Sequence, residues 1–270
     1  MVPLAIGTQT TASTIRPASF CGTFGYRPTH GDLRCAGVKE AAGSLDTLGL
    51  FARSVEDIAL YRDVLTRSAP VAITAPAKPL RIGFCRTHFW PQLEAHTQKC
   101  LEGTAQDLLR AGAQVEEVEL HDDFKGIEQA HRWVSSFEFS RNFSWEVENH
   151  WDLISETLRN NRLKDGLSCP FEQYRDARDL LAHCRLLLDP VFDNYDVLLT
   201  APAGGEAPVG LNATGNASMC LIWTSTHVPA MTLPLWPRAT VAHPARDLTG
   251  VDAADARQVV ALQPVVERLG

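Results

Sequence analysis

The sequence has no apolar run that approaches the ~20 residues of a membrane-spanning helix. Its first residues lack the basic start and the long apolar stretch of a secretion signal. The net charge of −7 leaves no basic excess for a nucleic-acid surface. We therefore expect neither a membrane nor a nucleic acid as a partner.

Metal-binding spacing is absent too, since the chain contains no Cys-x-x-Cys pair and no His-Glu-x-x-His segment. We expect no metal and no cofactor. The seven cysteines are scattered and odd in number, which favours reduced thiols and a cytoplasmic location over a disulfide framework. Lysine is rare, with five among 270 residues, so few amines could act as a catalytic base.

Hydrophobic periodicity predicts an α/β protein, because strands and helices alternate along the middle of the chain. Strands are predicted over residues 4–10, 80–85, 115–120 and 195–200, the third at a sheet edge. Helices are predicted over residues 54–65, 93–111, 124–149 and 170–188, and a helical pattern interrupted at Pro264 covers residues 252–269.

The most informative segment is residues 7–31, GTQTTASTIRPASFCGTFGYRPTHG. Small and hydroxyl residues precede Ser13, and such residues let backbone N–H groups approach a substrate carbonyl. We expect Ser13 in a tight loop at the end of a strand, with the N–H groups of Thr10, Thr11 and Ala12 facing a cleft. This is the local chemistry of a nucleophile beside an oxyanion hole.

The same segment resembles the core of the amidase signature family, whose members hydrolyse or transfer across carboxamide C–N bonds. The order Gly-Thr-Gln-Thr, Ser13, Ile-Arg, Pro-Ala, Cys-Gly and Pro-Thr fits over more than twenty residues. Residues 44–55 and 195–234 carry further family-like elements in the same order. The resemblance implies a mixed central β-sheet flanked by helices, with Ser13 as the nucleophile.

Several other residues take candidate roles near this site. Arg16 is expected to organise structure through carbonyl or carboxylate partners, and Asp46 is the partner that we suggest for it. Cys21, Trp223 and His227 are candidates for a substrate pocket, although Trp223 and His227 are more simply explained as core residues.

The resemblance also implies a Ser–Ser–Lys arrangement, in which a second serine relays the proton to a buried lysine. Those two groups come from family segments upstream of the nucleophile, and none of the residues before Ser13 is Ser or Lys. We therefore expect a single family domain over residues 1–270 that is incomplete at its N-terminus. Lys39 and His227 are weak substitutes for the missing base.

Two departures from the family pattern stand out. Thr11-Ala12 stands where many relatives have two glycines, so the loop is expected to be distorted wherever φ would be positive. Residues 235–270 lack the glycine-rich run of the family until Gly250 and form an atypical tail.

Three functional hypotheses remain. The first is an amidase that acts on a small amide through Ser13, impaired in the chain as given. The second is a catalytically inactive remnant or interaction fragment of the same ancestry. The third, for which the sequence offers the least support, is the A subunit of a tRNA-dependent amidotransferase. The partners that we consider are a small-molecule amide, a second copy of the chain, or a complementing chain.

Overall fold

A computed structural model describes residues 2–70, 73–74, 76–237 and 257–262. The strands within this part are β1 (Ala5–Gln9), β2 (Phe24–Arg27), β3 (Thr47–Ala52), β4 (Arg81–Phe84), β5 (Gln114–Glu117), β6 (Val197–Leu199), β7 (Ala230–Pro237) and β8 (Arg257–Leu262). The α-helices are α1 (Ile15–Cys21), α2 (Val55–Thr66), α3 (Ala95–Arg110), α4 (Ile127–Asn142), α5 (Ser144–Asn149), α6 (Glu156–Leu158), α7 (Lys164–Ser168), α8 (Phe171–Asn194) and α9 (Ser218–Ser225). A π-helical turn, Arg159–Leu163, connects α6 to α7.

The described strands form two sheets. One has the order β1-β3-β2-β7-β8 with antiparallel neighbours, and the other is parallel with the order β5-β4-β6. The α/β class is therefore confirmed, and β5 lies at a sheet edge as its pattern predicts. The antiparallel sheet was largely missed, because β2 is short and β3 and β7 lack clear alternation of apolar and polar residues.

The largest hydrophobic core lies around the parallel sheet, where side chains of α3, α4, α8 and α9 pack together with β4 and β6. Leu101, Val134, Leu181 and Ile222 are buried there from four different helices. Four of the five predicted helices are present, and the one predicted over residues 124–149 is divided at Phe143 into α4 and α5. Helix α8 extends six residues further than expected, to Asn194. None of the helices in the described ranges combines the length and the apolar character needed to cross a membrane.

Local signals explain where two of these helices begin and end. Ser54 precedes α2, and its side chain accepts a hydrogen bond of 3.0 Å from the Asp57 N–H, which caps the helix as the spacing predicts. Gly22 ends α1 with φ of 62°, in the left-handed region that glycine adopts without strain.

The C-terminal prediction is wrong where it can be compared with the structure. Arg257–Leu262, predicted as part of a helix, is strand β8 and pairs with β7 in antiparallel register. Its sequence, RQVVAL, contains two β-branched residues, and β7 offers an edge to pair with, so sheet pairing overrides the weak helical pattern. Residues 235–237 of the atypical tail belong to the end of β7, and, apart from β8, the rest of the tail and of the predicted helix lies outside the described residues.

Candidate active site

Ser13 lies in the turn between β1 and α1, and its side chain is exposed. The register of the antiparallel sheet places the end of β1 opposite the start of β3, where Gln9 faces Thr47. Gly49 of β3 gives room for this turn: a Cβ atom at Gly49 would lie 1.9 Å from the Thr14 hydroxyl oxygen. The tight packing of Thr14 on β3 therefore holds the start of α1, and with it Ser13, against the sheet.

The side-chain amide of Gln9 closes the turn. Its oxygen accepts hydrogen bonds from the N–H groups of Thr14 (2.9 Å) and Ile15 (3.0 Å), and its nitrogen donates to the Thr224 hydroxyl (2.9 Å). Gln9 is 1% exposed. Its side chain caps α1 in place of the N-cap residue Thr14, whose own side chain makes no capping hydrogen bond. A buried amide thus connects β1, α1 and α9.

Two further side chains hold the carbonyl oxygens of the turn. The Thr224 hydroxyl donates to the Thr11 carbonyl at 2.7 Å, and Nε2 of His131 lies 2.9 Å from the Thr10 carbonyl oxygen. The Thr10 hydroxyl donates to Asp46 at 2.5 Å. The turn is therefore held by hydrogen bonds from the segment before β3, from α4 and from α9.

The amide N–H groups of residues 10–13 have no hydrogen-bond acceptor within the described part of the chain. Ala12 is buried while Thr10, Thr11 and Ser13 are more exposed, so these consecutive donors beside the serine hydroxyl are available to a ligand. Thr11 and Ala12 both have negative φ, since the described non-glycine residues with positive φ are Arg67, Thr87 and His227. Neither residue therefore adopts the left-handed backbone in which residues other than glycine are strained.

Arg16 has different partners from the one we suggested. Its guanidinium donates to the Gly215 carbonyl at 2.7 Å and to the Thr214 hydroxyl at 3.2 Å. Asp46 instead accepts hydrogen bonds from Thr10 and from the N–H groups of Ala41 and Ala42. The Arg16–Asp46 pairing is therefore wrong, because Asp46 is already occupied in fastening the turn to the segment before β3.

The other candidate residues are dispersed. Cys21 is exposed at the end of α1, and Trp223 is buried in the main core. His227 is half-buried: its Nε2 lies 2.8 Å from the Ser44 carbonyl, and its ring stacks on His30 at 4.2 Å between centroids. Burial, reinforced by the positive charge of Arg185 and by His30, lowers the pKa of His227 to about 3.

No side-chain base contacts Ser13 in the described ranges. Lys39 is exposed and pairs with Glu146 at 2.9 Å. The hydroxyl of Ser13 has no hydrogen bond to a lysine, histidine or carboxylate among the described residues. Neither substitute base considered from the sequence therefore approaches the nucleophile position in this structure.

Sequence reasoning missed three residues of the site: Gln9, His131 and Thr224. A signal existed for His131, since it stands on the inward face of α4 beside Ile127, Ala130 and Val134. A histidine among apolar residues at helical spacing must find a polar partner when it is buried. No pattern in the sequence could show that this partner is the turn after β1.

Comparisons with known proteins agree with one another. The family profile named Amidase matches residues 1–245. The chain is 29% identical over 214 residues to 2-amino-5-chloromuconic acid deaminase of Comamonas testosteroni, covering 76% of this chain and 45% of the deaminase. It is 30% identical over 189 residues to the A subunit of glutamyl-tRNA(Gln) amidotransferase from Koribacter versatilis, covering 65% of this chain and 37% of that relative.

Among solved structures, the fold matches a crystal structure of an amidase with a TM-score of 0.81 at 23% identity, covering 97% of this chain and 58% of that one. The chain spans less than half the length of these two curated relatives. The profile covers most of the chain, and the relatives and the fold point the same way: the chain belongs to the amidase signature family.

Proposed function

We propose that this chain hydrolyses the C–N bond of a small carboxamide, with Ser13 as the nucleophile. The observation that carries the proposal is the row of unpaired N–H groups at residues 10–13 beside an exposed serine hydroxyl. Backbone donors held in this way stabilise the negative charge that develops on a carbonyl oxygen during attack. Family membership adds that amide chemistry is the reaction class to test first.

In the proposed reaction the Ser13 oxygen bonds to the carbonyl carbon, and the oxyanion that forms is stabilised by the N–H groups of Thr10, Thr11 and Ala12. The C–N bond then breaks, the amine leaves with a proton, and water releases the acyl group from Ser13. Arg16 stabilises the loop of residues 214–215 next to α1 and does not contact the substrate.

The hydroxyl proton of Ser13 needs an acceptor, because serine is a weak nucleophile without a base. His227 and Lys39 do not supply one, since each is committed to other partners. We therefore infer that residues 1–270 alone turn over amides slowly. The expected rate is roughly 10²–10⁴-fold lower than that of a form with a base in place.

The test compares the wild-type chain with Ser13→Ala and with Ser168→Ala, which removes an exposed hydroxyl on α7. Ammonia release from a panel of aryl, aliphatic and small amides is measured for each, with and without an upstream extension that bears a lysine. We expect activity that Ser13→Ala abolishes and Ser168→Ala leaves unchanged. Equal activity in wild type and Ser13→Ala would rule out Ser13 as the nucleophile.

Because no side-chain base contacts Ser13 among the described residues, a second candidate is a catalytically inactive family member that acts by binding a complementing chain or a second copy of itself. A folded chain that releases no ammonia with any extension would support this candidate. The seven free thiols support a cytoplasmic location for either function.

A further inference from the structure

His131 is a buried histidine that contacts the nucleophile turn from α4. It is 4% exposed on α4, and Nε2 lies 2.9 Å from the Thr10 carbonyl oxygen and 3.3 Å from the Thr11 hydroxyl oxygen. A carbonyl oxygen can only accept, so the ring proton is on Nε2. Burial lowers the pKa of His131 to about 4, and the charge of Arg162 acts in the same direction, so the ring is neutral near pH 7.

The position of this contact fixes the direction of a backbone donor. The Thr10 carbonyl and the Thr11 N–H belong to one trans peptide group, so they point in opposite directions. A bond from His131 to the carbonyl therefore directs the Thr11 N–H away from α4. Thr224 acts in the same way on the next peptide group, whose N–H belongs to Ala12.

We propose that His131 is a positioning residue that aims the Thr11 N–H at the oxyanion. The inference rests on the proposed function of Ser13. Donation to the carbonyl also polarises the peptide group, which strengthens its N–H as a donor. His131 makes no contact with Ser13 within the described part of the chain, so it acts through the turn and not as a base.

The kinetic test uses His131→Leu, which removes the donor, and His131→Gln, whose side-chain amide can place an N–H near the position of Nε2. His96→Leu, on the exposed face of α3, is the matched control. We expect kcat to fall roughly 10- to 100-fold in His131→Leu while KM stays nearly constant, because the contact matters most in the transition state. His131→Gln should recover most of this loss.

A second measurement does not depend on turnover. The ¹H–¹⁵N resonance of the Thr11 amide should move in His131→Leu and return towards its wild-type position in His131→Gln. If His131→Leu fails to fold, His131→Asn takes its place, because its shorter amide keeps polarity but withdraws the donor from the carbonyl.

Two results would overturn the inference: equal loss of kcat in the leucine and glutamine variants, or wild-type kcat in the leucine variant with an unmoved Thr11 resonance. A wild-type chain that hydrolyses no amide would contradict the proposed function instead. In that case the Thr11 resonance alone decides, and an unmoved resonance in His131→Leu overturns the positioning role.

Discussion

The turn at residues 10–13 and the histidine cluster formed by His30, Ser44, Arg185 and His227 are both polar regions next to the antiparallel sheet, yet their hydrogen bonding is opposite. The carbonyl oxygens of Thr10 and Thr11 accept hydrogen bonds from His131 and Thr224, while the N–H groups of the turn have no partner among the described residues. In the cluster, both ring nitrogens of His227 have partners, Ser44 at 2.8 Å and Arg185 at 3.4 Å. The turn therefore keeps hydrogen-bond donors that a ligand could use, whereas the ring nitrogens of His227 in the cluster are already paired.

Charge separates the two regions as well. Arg185 faces the His227 ring and helps to lower its pKa to about 3, so this histidine cannot take up a proton near neutral pH. In the turn, no charged side chain contacts Ser13 within the described residues, and the nearby His131 is neutral. Although His227 lies near Thr224 in the sequence, a histidine can act as the base only if its free lone pair faces the nucleophile.

The largest effect is expected for Gln9→Leu. This change leaves the N–H groups of Thr14 and Ile15 buried without an acceptor and uncaps α1. We expect a loss of roughly 2–6 kcal/mol in the free energy of unfolding, because each such donor costs about 1–3 kcal/mol. Urea denaturation measures it, and Gln106→Leu on the exposed side of α3 is the control. Equal stability of the two variants would show that the buried amide does not hold the turn.

Acid should reveal the two histidines whose pKa is lowered furthest on folding, His131 and His227. The folded pKa of His131 is about 4 against 6.5 in the unfolded chain, so below about pH 6.5 only the unfolded state binds the proton. The contribution of neutral His131 to the free energy of unfolding is constant above that pH, and it is lost as the pH falls towards about 4. The unfolding free energy of wild type should drop by about 3 kcal/mol more than that of His131→Gln between pH 7.5 and about pH 4.5.

Parallel slopes for the two proteins in that pH range would mean that His131 is not neutral in the folded state. The His227→Gln variant should remove a further part of the acid sensitivity, because its folded pKa is lowered as well.

A smaller effect on catalysis is expected for His227→Gln. The glutamine amide can still donate to the Ser44 carbonyl, and no contact joins position 227 to the turn at residues 10–13 in the described part. Amide turnover should stay within about twofold of wild type, as expected for a change outside the reacting groups. A fall of kcat comparable with that of His131→Leu would place His227 in the reaction and break the contrast between the two regions.

The smallest effect on the folded chain is expected at Ile6 of β1. This strand lies at the edge of its sheet, and Ile6 is 49% exposed. Exposed apolar edges pair with other chains, and a lysine at such a position opposes pairing. Ile6→Lys should reduce light scattering of concentrated protein while changing the unfolding free energy by less than about 0.5 kcal/mol. Unchanged scattering would show that this edge does not drive association.

Prediction from sequence succeeded where the signal is local. The strand before the turn, the helix cap at Ser54 and the α/β class follow from neighbouring residues, and each is present. The Arg16–Asp46 pairing failed, because residues thirty positions apart can pair in many ways and only the packing of the loop at residues 214–215 against α1 selects one. The helix predicted over β8 failed for a similar reason, since its pairing with β7 outweighs local preference.

The sequence by itself determined the family, through a run of small, hydroxyl and glycine residues whose backbone conformation depends on the residues themselves. It also determined that Ser13 lies in a loop that follows a strand. Only the tertiary structure decided that Gln9, His131 and Thr224 converge behind this turn, from positions up to 215 residues apart. Hydrogen bonds of this kind depend on the packing of β1 against α4 and α9, and packing is a property of the whole core that no short segment encodes.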